Sequence, residues 1–151
     1  MIKLKFLPLV AITAILLTSC YKGDSEKTRK ELLTQGGWVL QAKLTKAGAA
    51  ADFTDVTSTV STCKKDDVLS YNTTGQYAKS EGASKCNTSD PDLIAVGTWE
   101  FLNSESELKV TTSSSTITYK IEGIAQNSLI LVEVDSSGII VVSNKYIFIH
   151  F

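Results

Sequence analysis

The chain is poor in the residues on which metal and nucleophile chemistry depend. Its 151 residues include one histidine, one methionine and three cysteines. A Ser-His-Asp or Cys-His machine would rest on His150 alone, one residue from the end of the last apolar segment. Side chains in that position serve packing or the surface. No Cys-x-x-Cys is present, and a zinc site has neither two close cysteine pairs nor supporting histidines. There is no glycine-rich phosphate loop and no dinucleotide fingerprint. Positive charge is also lacking: 15 Lys and Arg face 16 Asp and Glu, so nucleic acid would meet no basic surface. Asp66-Asp67, after Lys64-Lys65, reads as a solvated rim of mixed charge. Asp90-Pro91-Asp92, with Asn87 and Ser89, reads as a turn, since it lacks the ligand count of a calcium loop. The expectation is a protein that is not an enzyme and carries no cofactor.

What the sequence does have begins with a leader. Lys3 and Lys5 precede an apolar run over residues 6–17. Those 12 residues are too few to span a bilayer, which takes about 20. Leu17-Thr18-Ser19-Cys20 follows and resembles the lipobox of bacterial lipoproteins. The resemblance implies cleavage before Cys20, attachment of diacylglycerol to its thiol and an acylated (palmitate-type) mature N-terminus. It places the protein in the bacterial envelope, lipid-anchored at the outer membrane and facing the periplasm or the surface. Without the two leader lysines, 13 basic residues face 16 acidic ones, a net charge of −3. Acyl chains, worth roughly 0.8 kcal/mol per buried CH₂, then hold the membrane rather than charge.

The organisation expected is a signal peptide over 1–19, a polar tether over 20–30 that includes Asp24 and Glu26, and one domain over 31–151. A short helix is expected between Ser25, as its cap, and Thr34, with Leu32 and Leu33 on one side and Gly36-Gly37 ending it. From there the apolar residues alternate. Trp38, Leu40, Ala42 and Leu44 share one face, and Gln41, Lys43 and Thr45 the other. Segments 68–71 and 76–79 flank Asn72-Thr73-Thr74-Gly75, a hairpin turn with a glycine available for positive φ. Segments 98–102 and 108–112 flank Asn103 to Ser106, and 116–122, 129–134 and 139–151 complete the series. A meander of about eight short-looped strands is expected to close into an up-and-down antiparallel β-barrel, because open edges and one-sided burial are costly.

On this reading one face lines the barrel: Trp38, Leu40, Leu44, Leu69, Tyr71, Tyr77, Trp99, Phe101 and Leu108, then Val110, Ile117, Tyr119, Ile121, Leu129, Leu131, Tyr146 and Phe148. Trp38, Leu40, Leu69, Tyr71, Tyr77, Trp99, Phe101, Tyr119, Tyr146 and Phe148 are the candidate ligand contacts. Either these side chains fill the barrel, or they leave an apolar cavity dotted with tyrosine hydroxyls. On the opposite face, Ile130, Val132, Val134, Ile140, Val142, Ile147 and Ile149 form an apolar stripe on the last two strands. That stripe needs either cover from the helix or a protein or membrane partner.

Gly36-Gly37-Trp38 opening the first strand resembles the Gly-x-Trp signature of lipocalins. Together with LLTQGGWVL, KKDDVLSYNTTGQYAKSEG between two cysteines, and GTWEF, in which Gly97-Thr98-Trp99 opens a middle strand, it resembles the lipocalin-like domain family of small bacterial lipoproteins. That resemblance covers residues 30–151. It implies a lipocalin-like barrel in the envelope, with Trp38 plugging the closed end.

With Cys20 acylated, Cys63 and Cys86 remain. Export and an even remainder favour a disulfide between them, bracketing the 68–81 hairpin and pinning loops 57–62 and 82–91 together. The functional expectation is a barrel that binds a small hydrophobic ligand. The competing expectation is an interaction, structural or inhibitor-type lipoprotein with a filled core, acting through its outer wall or loops. Mass spectrometry of the mature protein is expected to show an acylated Cys20 at the N-terminus, and Cys20→Ala to move the protein from the membrane to the soluble fraction.

Overall fold

The computed structural model describes residues 26–48 and 51–151. Cys20, the leader and the expected cap Ser25 lie outside the described residues. Among the described residues, nine strands form one antiparallel sheet. They are β1 (Gly37–Ala47), β2 (Thr54–Asp55), β3 (Val68–Tyr71), β4 (Gln76–Ser80), β5 (Leu93–Leu102), β6 (Glu107–Thr112), β7 (Thr116–Ala125), β8 (Ser128–Asp135) and β9 (Val142–His150). From β3 onward each strand pairs with the next, and β1 pairs with both β3 and β9, closing eight strands into an up-and-down barrel. The remaining strand, β2, pairs with Leu44 and Thr45 on the edge of β1 that extends beyond β3. Among the described residues, no helix is long and apolar enough to cross a membrane.

The turns explain the register. Between β3 and β4, the Asn72 carboxamide oxygen accepts from the amides of Thr74 and Gln76 at 3.1 and 2.8 Å, and Gly75 takes a φ of 85°. A side chain is strained in that conformation and glycine is not. Between β5 and β6, Asn103, Ser104 and Glu105 all adopt left-handed φ values of 50°, 54° and 63° without any glycine. Such residues cost of order 1–3 kcal/mol each and need external support. Arg29 Nη1 donates to the Glu105 carbonyl at 2.6 Å, and the Ile121 amide donates to the Ser106 carbonyl at 2.8 Å.

Helix α1 (Arg29–Leu33) is shorter than expected and is capped by Thr28, not Ser25. Thr28 and Glu31 form a reciprocal capping box, which satisfies two orphan amides at the helix start. The expected tether boundary at residue 30 therefore falls inside this helix. The helix does not lie on the outer wall of β8 and β9; Leu33 is fully buried in the core cluster beside Trp38 and Leu129. The Trp38 indole donates to the Leu33 carbonyl at 2.9 Å, tying helix to barrel at the closed end.

Four expectations about strands are corrected. Strand β5 opens at Leu93, so Gly97-Thr98-Trp99 lies within the strand and does not begin it. Residues 139–141 belong to the β8–β9 loop, because β9 starts only at Val142. The outer stripe is also broken: Val132 is buried between its cross-strand partners Lys120 and Lys145, whereas Val134, Ile140 and Ile149 are exposed. The fourth correction concerns Leu44. A bulge between Leu40 and Ala42 inserts one extra residue into β1. Leu40 faces Phe148, but beyond the bulge Lys43 pairs with the inward Tyr146, and Leu44 pairs with the outward Lys145. One extra residue exchanges the two faces.

Gly97 stands opposite Tyr77, and a Cβ built on it would run into the backbone carbonyl of Thr111 on β6. Backbone cannot yield as a side-chain tip can. Gly97→Ala is expected to lower unfolding stability by about 1–3 kcal/mol, measured by urea denaturation.

Candidate functional site

The strand directions divide the barrel into two ends. The β3–β4, β5–β6 and β7–β8 turns, helix α1 and the chain end after β9 lie at one end, and the longer connections 51–67, 81–92 and 136–141 lie at the other. The first end carries most of the fully buried side chains. Trp38, Leu33, Leu108 and Leu129 are fully buried there. Trp99 donates its indole N–H to the Asn72 carbonyl at 3.0 Å and meets Phe101 edge-on at 5.2 Å. His150 also lies at this end, its ring edge-on to Trp38 at 5.6 Å.

Toward the other end the side chains part around a cavity of about 410 Å³. Seven of the ten candidate contacts line it: Leu40, Leu69, Tyr71, Tyr77, Tyr119, Tyr146 and Phe148. Trp38, Trp99 and Phe101 do not; they build the floor beneath it. Val110, Ile117 and Leu131 complete the apolar wall.

The upper wall carries charge. Lys43 faces inward because of the β1 bulge, and its ammonium lies 5.6 Å from the centre of the Tyr146 ring. Lys79 and Glu133 line the cavity as well. Both follow from alternation, two residues beyond Tyr77 and Leu131, yet both were absent from the apolar reading of the sequence. Val60 and Lys64 reach the cavity from the β1–β3 connection, which no strand pattern describes.

That connection is strapped down. It contains a short helix, α2 (Thr62–Lys65), and Cys63 within it is disulfide-bonded to Cys86 in the β4–β5 loop, with the Cα atoms 5.2 Å apart. In the chain-entropy model such a crosslink contributes roughly 3 kcal/mol. Beside it, the Ser84 amide and hydroxyl both donate to Asp66 Oδ2, at 2.8 and 2.7 Å. Asp67 is not on a solvated rim. It is only 5 % exposed, pairs with Lys79 at 2.8 Å, and lines the cavity. The Asp90 segment is a turn as expected, its carboxylate accepting from the Asn87 amide at 2.9 Å. Among the described residues, no group of three or more His, Cys, Asp or Glu could hold a metal.

The four tyrosines define the electrostatics. Burial holds the Tyr71 phenol well above its ordinary value, with Tyr77 and Tyr119 adding to the effect. Burial first and the Asp67 charge second push Tyr77 up to about 12. Tyr119 and Tyr146 are raised by burial and then by Glu133, whose Oε2 accepts from the Tyr146 hydroxyl at 3.0 Å. At neutral pH the cavity therefore presents neutral phenols, able to donate or accept. Compared with known proteins, the sequence matches no family model and no curated protein.

A phenol whose folded value is raised binds its proton more tightly in the folded state, so its contribution is intact below pH 10 and lost above it. Stability is expected to fall as the pH rises from 10 to about 12, and Tyr77→Phe to flatten that slope, as read from urea midpoints across the range.

Proposed function

We propose that this chain is a lipid-anchored envelope lipoprotein whose lipocalin-like barrel binds a small hydrophobic ligand and performs no catalysis. The observation that carries the reading is the 410 Å³ cavity, enclosed by apolar strand faces and open toward one end. Its size falls within the range of small-molecule sites, about 300–1,000 Å³. A predominantly apolar wall with a few convergent hydroxyls is the chemistry of a site that takes its energy from burial and its orientation from hydrogen bonds. The competing reading, a filled barrel working only through its outer wall, draws no support from an interior with this much free space. The Gly-x-Trp start and the Leu17-Thr18-Ser19-Cys20 segment support the lipocalin-like and lipoprotein parts of the reading.

A differential-scanning screen of apolar compounds, including long-chain alcohols and sterols, is expected to raise the unfolding temperature of the domain. Ile117→Trp, which fills the cavity from its wall, is expected to abolish that rise while leaving the circular dichroism spectrum all-β. A screen without any shift, on protein shown to be folded, would count against ligand binding.

A further inference from the structure

The cavity's charges do not balance. Three lysines, Lys43, Lys64 and Lys79, line it against two carboxylates, Asp67 and Glu133. Lys79 is already matched by Asp67 at 2.8 Å, and Glu133 accepts from Tyr146 at 3.0 Å. Lys43 and Lys64 have no carboxylate within ion-pair distance among the described residues. Lys43 is half-buried and held over the Tyr146 ring, so its ammonium stands at the boundary between the apolar wall and the mouth. Lys64 approaches from the strapped loop on α2. An ammonium facing a low-dielectric space attracts an anion far more strongly than the same group in water.

Deepening the reading above, and resting on it, we infer that the ligand is a single-chain amphiphile with a carboxylate head. Its alkyl tail lies along Leu40, Leu131 and Phe148, and its carboxylate sits at the mouth between Lys43 and Lys64. The cavity volume of about 410 Å³ lies within the range of small-molecule sites. The β1 bulge is the device that makes this specificity, since without it Leu44 and not Lys43 would face the interior. A neutral alcohol would fill the same apolar wall and leave Lys43 unmatched. A quaternary ammonium would be repelled.

The test is calorimetric titration of the full chain with dodecanoate, dodecanol and dodecyltrimethylammonium, all below their micelle concentrations. Dodecanoate is expected to bind at least tenfold more tightly than dodecanol, with the cation weakest. Lys43→Met is expected to erase that preference, whereas Lys43→Arg retains it. Lys64→Met is expected to reduce the preference in part. Equal binding of acid and alcohol, tighter binding of the cation, or a preference untouched in the Lys43→Met, Lys64→Met double variant would overturn the carboxylate assignment and leave the cavity reading standing. If none of the three probes binds to folded protein, both fall together.

Discussion

The ladder between the first and last long strands is the constraint on which the structure depends. Strand β9 pairs with β1 from Trp38 to Ala47, almost the whole length of β1. Without that ladder the sheet would have two open edges and one apolar face with nothing opposite it. With it, each strand's inner face is covered by the far wall, and a single layer can bury a core. Tryptophan 38 sits at the foot of this ladder and is wholly buried. Its indole holds the helix that seals the end, so closure of the sheet and closure of the floor are coupled through one side chain.

Above that floor the interior changes character. The lower half holds the fully buried side chains Leu33, Trp38, Leu108 and Leu129. The upper half is built from tyrosines, which are large and apolar over most of their surface but end in a hydroxyl. Tyr71 meets Tyr77 tilted at 5.4 Å, Tyr119 meets Tyr146 edge-on at 6.3 Å, and Tyr146 stacks on Phe148 at 6.2 Å. They line a space without filling it. The strap of disulfide, Asp66–Ser84 hydrogen bonds and Asp67–Lys79 ion pair holds the β1–β3 connection across part of the mouth. Rigidity at the rim and at the floor leaves the tyrosine tier as the place where the molecule has room.

Much of this was legible in the chain. Alternation placed sixteen of seventeen proposed inward residues in the core or along the cavity, and Asn72 to Gly75 announced its own turn. Cysteines 63 and 86 announced their bond. The same rule applied without regard to polarity would have found Lys79 and Glu133, since each continues the inward face of its strand; attention to apolar residues alone passed over them. Other features carried no such signal. The β1 bulge leaves Trp38 to Leu44 reading as an unbroken strand, and its presence shows only in the pairing with β9. Lys64 and Val60 reach the cavity from a connection whose path is set by a crosslink and a carboxylate rather than by periodicity. Gly97 looked like a strand boundary because glycine is poor in strand interiors. Its reason for being there is the close approach of the neighbouring backbone, a tertiary fact.

The bulge has an evolutionary corollary. Removing the one surplus residue near Gln41 would remove the bulge yet leave Lys43 opposite Tyr146 and facing inward, with the pairing beyond it intact. In a cylinder of this kind, a three-nucleotide loss at the bulge would thus leave the chamber's lining unchanged, because the surplus residue has no partner in the ladder. Relatives differing by such a change would share the same lining and differ in the local twist of the first strand.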